Sequence, residues 1–183
     1  MKKIETNLLD CYIIEPNRFG DDRGYFSPYF IQKDFDELGF ERVVQANRSK
    51  SSKGVVRGLH FQKDPKCQAK IVEVISGKAI DVVVDMREDS ETYGKWFGVT
   101  LSAENKKQFF IPKNFAHGFI VLSDYAEFCY KVTDFYHPND EGGLLWKDPE
   151  IGVEWPMPEG MTEADLTLSD KDKVWPGIAS LKK

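Results

Sequence analysis

Cysteine is scarce in this 183-residue chain, and its three copies, Cys11, Cys67 and Cys129, are odd in number and widely spaced, with no Cys-x-x-Cys pair. That pattern argues against a disulfide framework and a structural zinc site, and it favours a reducing compartment, the cytoplasm. Histidine is equally sparse. His60, His117 and His137 form no His-x-His pair and no His-Glu-x-x-His helix, and the residue two beyond His60 is Gln62, a poor ligand, so a metal site is not expected. Long apolar runs are missing as well. No window approaches the roughly 18 uninterrupted apolar residues of a spanning helix, and the opening Met1-Lys2-Lys3 leads into Glu5, Thr6 and Asn7 rather than an apolar signal core. No membrane association follows from such a chain. An excess of positive charge is also lacking: the formal net charge is −5, which gives no reason to expect nucleic acid or an anionic membrane and leaves a small anionic molecule as a partner. There are no internal repeats and no low-complexity runs.

What is present is enough for one domain with its own core, with 41% hydrophobic and 13% aromatic residues. Two β-branched runs, Ile71-Val72-Glu73-Val74-Ile75 and Ala79-Ile80-Asp81-Val82-Val83-Val84, flank Ser76-Gly77-Lys78 and read as a hairpin. Further short strands are expected at 97–101, 108–111, 118–122 and 127–132, separated by turn-forming clusters, a spacing that indicates a sandwich or barrel. Helix is expected only at 33–38, stopped by Gly39, with a short turn near 169–173. The class is mainly β with a few short helices. The Pro-rich 155–160 stretch reads as a surface connection, and the tail from Met161 as a segment folding back over the core.

The run Arg57-Gly58-Leu59-His60-Phe61-Gln62, after Val55-Val56, holds a base, a cation and a glycine on one expected strand. Imidazole titrates near neutrality, so His60 can take and return a proton at working pH. Arg57 offers a planar donor fork for phosphate or carboxylate oxygens. The competing reading is a hydrogen-bonded structural histidine beside a strand irregularity. In a flat strand Arg57 and His60 have opposite parity and face opposite sides, so shared service to one cavity requires Gly58 to mark a bulge. Lys70 at a strand start, His117 before a strand and Tyr130 within Phe128-Cys129-Tyr130-Lys131 add reactive groups, each with a structural alternative: a solvated strand end, a turn residue and a half-buried strand aromatic. Asp172, three residues after Ser169, either closes a capping box or, if the tail returns to the barrel, bonds the second nitrogen of His60.

Taken together, Phe19-Gly20-Asp21-Asp22-Arg23-Gly24, Gln45-Ala46-Asn47-Arg48-Ser49-Lys50-Ser51, the Arg57 to Gln62 run, Phe115-Ala116-His117-Gly118-Phe119, Glu127-Phe128-Cys129-Tyr130-Lys131 and Ile151-Gly152-Val153-Glu154-Trp155-Pro156 resemble the dTDP-4-dehydrorhamnose 3,5-epimerase family, from about residue 3 to residue 176. The resemblance implies one cupin-type jelly-roll domain over 1–183, working without metal or cofactor. It implies a homodimer to which 1–30 contributes exchanged strands, with 157–183 as a tail on the barrel. The implied substrate is a dTDP-linked 4-keto-6-deoxy sugar, inverted at the two carbons flanking the ketone. By the same resemblance His60 is the general base, Asp172 its orienting carboxylate, Tyr130 the acid on the opposite ring face and Lys70 the cation for the developing oxyanion. Phe19, Arg23, Gln45, Asn47, Arg57, His117, Tyr136, Glu141 and Lys171 are implied as substrate contacts, with the arginines on the pyrophosphate and Tyr136 stacking. Two departures stand out. Pro28 lies where the family commonly has a glutamate that helps to hold thymine, leaving the nucleotide base open, and a longer spacing from Trp155 to Ser169 makes Asp170 an alternative to Asp172. The rival readings are a carbon-3-only epimerase, an epimerase of another nucleotide sugar, a silent binding module and a metal-dependent cupin oxygenase.

Overall fold

The structure, a computed structural model, describes residues 1–181. Thirteen strands make up almost all of its regular structure. Six of them, β1 (Lys2–Glu5), β2 (Tyr12–Glu15), β5 (Gln45–Ser52), β7 (Lys70–Ser76), β10 (Gln108–Ile111) and β12 (Tyr125–Val132), form one antiparallel sheet in the order β1-β2-β10-β7-β12-β5. Five others, β6 (Val56–Gln62), β8 (Lys78–Asp85), β9 (Trp96–Ser102), β11 (Phe115–Val121) and β13 (Glu141–Gly143), form a second in the order β13-β6-β11-β8-β9. The remaining pair, β3 (Phe19–Asp21) and β4 (Gly24–Phe26), is a hairpin that pairs only with itself.

The two large sheets pack face to face as a jelly-roll barrel. Alternation along each strand sends one set of side chains inward. Val72, Val74, Ala79, Val83, Leu101, Phe109, Phe119 and Phe128 form the core between the sheets. Two outward residues of the six-stranded sheet, Ile71 and Phe110, meet Phe35 and Phe40 beside α1 (Gln32–Asp36). Val82, Val84 and Ile120 on the outside of the five-stranded sheet are covered by Leu144, Trp146, Trp155, Leu166, Leu168 and Ile178, so the tail does return to the barrel. Apolar burial on both faces explains why β8 reads as an almost continuous β-branched run.

Two local expectations need correction. The runs around Gly77 are strands, but they do not pair: β7 bonds β10 and β12, whereas β8 bonds β9 and β11. A hairpin needs a loop of two or more residues, and only Gly77 separates these strands. With φ +79 and the Tyr125 carbonyl occupying the place a Cβ would take, Gly77 carries the chain from one sheet to the other. The helix is shorter than expected and starts one residue earlier, with Leu38 and Gly39 (φ +75) beyond it. Residues 170–173 form the expected turn, while a capping box occurs upstream at Thr162 and Asp165.

Candidate active site

The Gly58 irregularity is a bulge. Opposite one another stand His60 and His117, then Arg57 and Phe119, so three steps along β6 match two along β11. Directly opposed residues in an antiparallel pair project to the same face, and the extra residue therefore brings Arg57 and His60 to the barrel interior together. Gly58 has φ +128, and a Cβ there would lie 2.5 Å from the Gly118 Cα. Only glycine fits this crossing.

The His60 Nε2–H donates to Asp172 Oδ1 at 2.5 Å, and Asp172 is 2% exposed. The tail turn holds that carboxylate in place: the Asp172 N–H donates to the Ser169 carbonyl at 3.1 Å and to its hydroxyl at 3.2 Å. Asp172 thus engages His60 with its side chain and Ser169 with its backbone, whereas the side chain of Asp170 pairs with Lys173. With Nε2 carrying the proton, Nδ1 presents its lone pair and has no hydrogen-bond partner among the described residues. Burial pushes the imidazole below its ordinary range, opposed by the hydrogen bond and charge of Asp172. A neutral, oriented base is the result.

Facing it from the other sheet are the inner residues of β5, β7 and β12. Tyr130 stands opposite Val72 and Asn47, and Lys70 opposite Val132, so Lys70, Tyr130, Asn47 and Gln45 share the inner face. Burial raises the Tyr130 phenol and Arg57 lowers it. The Lys70 ammonium makes no hydrogen bond or ion pair among the described residues, and burial pulls it down to about 8 against the pull of Asp81 and Glu141. Gln45 Nε2 donates to Asn47 Oδ1 at 2.7 Å. His117, a strand residue rather than a turn residue, lies 2.8 Å from Asp81 Oδ1. At the rim, Lys171 Nζ donates to both oxygens of Glu141 at 2.7 and 2.8 Å, and the Tyr136 hydroxyl donates to Glu141 Oε2 at 3.2 Å.

Phe19 and Arg23 are not brought to this cluster. They lie on the β3–β4 hairpin, where Phe19 is 63% exposed and Arg23 pairs with its neighbour Asp21. A groove of about 530 Å³ beneath that hairpin runs along the outer face of the six-stranded sheet, lined by Arg18, Tyr25, Tyr29, Arg48 and Lys106, and shares only Asn47 and Tyr130 with the interior group. Sequence reasoning missed two interior residues, Asp81 and Trp175. An aspartate amid Ala79, Ile80, Val82 and Val83 is itself a signal, because a buried acid in an apolar strand needs a partner. Among the described residues no three His, Cys, Asp or Glu side chains are placed to share a metal ion, and no helix is long and apolar enough to cross a membrane.

The chain matches the family described as dTDP-4-dehydrorhamnose 3,5-epimerase over residues 5–180. It is 51% identical over 174 residues to the dTDP-4-dehydrorhamnose 3,5-epimerase of Shigella flexneri, covering 94% of this chain and 93% of that one. The crystal structure of the dTDP-4-dehydrorhamnose 3,5-epimerase from Elizabethkingia anophelis superimposes with a TM-score of 0.93 at 49% identity, covering 98% of this chain and 97% of that one. A dTDP-6-deoxy-D-glucose-3,5-epimerase from Legionella pneumophila, solved with dTDP-4-keto-L-rhamnose, gives 0.91 at 45% identity over 99% of this chain and 94% of that one.

Proposed function

This chain belongs to the dTDP-4-dehydrorhamnose 3,5-epimerase family, with a barrel of cupin type, and we propose that the His60 cluster inside the barrel carries the family's reaction. The enzyme is an isomerase that inverts carbons 3 and 5 of dTDP-4-dehydro-6-deoxy-D-glucose, giving dTDP-4-dehydro-L-rhamnose. One observation carries the assignment of residues: a base, His60 with Asp172, lies on one wall of the interior, and an acid and a cation, Tyr130 and Lys70, lie on the other. Inversion needs that arrangement, because the proton leaves one face of the ring and a proton returns to the opposite face.

His60 Nδ1 takes the proton from the carbon beside the ketone. The C–H electron pair becomes the enolate C=C bond, and the carbonyl pair moves onto oxygen. Lys70 holds that oxyanion, and as the pair returns from oxygen through the C=C bond Tyr130 delivers a proton to the other face of the same carbon; His60 then gives its proton to solvent and Tyr130 takes one from it, and a second cycle inverts the carbon across the ketone. Arg57 suits the pyrophosphate with its donor fork. Gln45 and Asn47 bond the nucleotide, His117, Glu141 and Lys171 contact the substrate, and Tyr136 stacks on it. The exposed hairpin supports a homodimer in which each copy delivers its Phe19 and Arg23 to the other's barrel. No metal or cofactor enters the sequence of steps. With Pro28 just beyond the hairpin, base recognition falls to backbone groups or to another side chain.

The test is proton NMR in heavy water of chelator-treated enzyme with dTDP-4-keto-6-deoxyglucose. Loss of the hydrogens at carbons 3 and 5 is expected in the wild type, and His60→Ala should slow it by about 10²–10⁴ while leaving the fold intact. Exchange at carbon 3 alone would narrow the activity to one centre. Undiminished exchange in folded His60→Ala would remove His60 from the mechanism.

A further inference from the structure

The tail residue Trp175 lies against His60 without any role in the steps above. His60 is opposed in the sheet by Gly143, so a side chain at 143 would project beside the imidazole. The Trp175 ring occupies that place: a Cβ on Gly143 would overlap the indole Cγ, Cδ2 and Cε2. The indole meets His60 edge to face, with centroids 6.2 Å apart at 69°. Lys171, bound to Glu141, lies 5.7 Å over its ring. The Trp175 Nε1 is buried and has no acceptor among the described residues. Packing and the Lys171 contact, rather than a hydrogen bond, therefore set the orientation of the indole. The backbone on both sides is tied down, with Val56 N–H donating to the Thr167 carbonyl at 3.0 Å and Leu145 N–H to the Pro176 carbonyl at 2.9 Å. Between those ties lies the turn that carries Asp172.

We propose that Trp175 is a positioning residue for the His60–Asp172 pair, sealing the imidazole against water and locking the Asp172 turn onto β13 through the slot left by Gly143. The inference rests on His60 acting as the base. It predicts the direction of a pH effect. His60 is held below the usual imidazole range chiefly by burial, so removing the indole hydrates the ring and raises its proton affinity. None of the charged and titratable groups facing His60 is removed in such a variant: Arg57 on β6 itself, Asp172 and Lys171 on the tail, Glu141 on β13, His117 on β11 with Asp81 behind it, and Lys70 and Tyr130 across the barrel.

The experiment measures carbon-3 and carbon-5 exchange across pH for the wild type, Trp175→Ala, Trp175→Phe and Gly143→Ala, with circular dichroism to check folding. Trp175→Ala is expected to lower kcat by about 10- to 100-fold with a smaller change in KM, and to move the acid limb of kcat/KM to higher pH by roughly half a unit to one unit. Trp175→Phe, which refills the slot with an apolar ring, should restore most of both. Gly143→Ala displaces the indole from the other side and should move the limb the same way, so it decides the matter if Trp175→Ala does not fold. An unmoved acid limb in a folded variant, even one that melts earlier, overturns the proposal and leaves Trp175 a packing residue. Absence of exchange in the wild type would instead overturn the assignment of function.

Discussion

Lys70 is a residue whose proposed service to the reaction costs the fold something. Its ammonium is drawn down from 10.5 to about 8 because burial disfavours the charge more than Asp81 and Glu141 favour it. At about 1.4 kcal/mol per pKa unit that drop corresponds to roughly 3 kcal/mol of destabilisation at neutral pH. The unfolded chain binds the extra proton between pH 8 and 10.5, so the penalty is complete below pH 8 and fades as pH rises towards 10.5. Lys70→Met should therefore raise the melting temperature at pH 7, by about 2–4 °C for each kcal/mol relieved in a chain of this size, and the gain should shrink in scans above pH 8. The same variant should lose about 10²–10³ in exchange rate. A lower melting temperature at pH 7 would mean that the ammonium supports the fold instead. At this scale the sequence reading flagged His60, Asp172, Lys70 and Tyr130 through the motifs that carry them. It failed for Asp81 and Trp175, whose meaning depends on which strand and which turn lie opposite them.

Among the elements, β6 and β5 show why some of the architecture was legible and some was not. The parity conflict between Arg57 and His60 demanded an irregularity at Gly58, and the bulge is there because the period of a strand is a hard constraint. By contrast β5, Gln45–Ser52, pairs with β12 along its full length yet was not anticipated as a strand. Its inward residues Gln45, Asn47 and Ser49 are polar, and a strand whose inner face lines a polar interior lacks the apolar alternation by which strands are recognised. The hairpin expected around Gly77 failed for a different reason: two good strands adjacent in sequence say nothing about whether they share a sheet. Gly58→Ala tests the element-scale argument. It forces a Cβ to within 2.5 Å of the Gly118 backbone at φ +128, so urea unfolding should show a loss of more than about 2 kcal/mol. Exchange should fall with it, because Arg57 and His60 lose their common face. A variant of wild-type stability would show that β6 and β11 separate more easily than their register implies.

For the molecule as a whole, the hairpin β3–β4 is the part that a single chain does not explain. Among the described residues it pairs only with itself, and it exposes Phe19 at 63%, Tyr25 at 58% and Phe26 at 70%. An isolated two-stranded ribbon is marginal in water, and three exposed aromatics on six strand residues ask for a covering surface. A second copy supplies one under the proposed exchange, and Arg23 then reaches a barrel other than its own. That arrangement has a consequence no single-chain arrangement shares. His60→Ala disables the barrel of its own chain, and Arg23→Ala disables the barrel of the other. In a heterodimer of the two variants one site carries both lesions and the other carries none. Random reassociation of an equal mixture makes about half the dimers mixed, so activity should recover to about a quarter of the wild-type value. If the hairpin serves its own barrel, every site in the mixture keeps one lesion and the activity stays at the level of the separate variants. Unfolding and refolding the two together, then measuring exchange per mole of chain, separates these outcomes without requiring that either variant be wholly inactive.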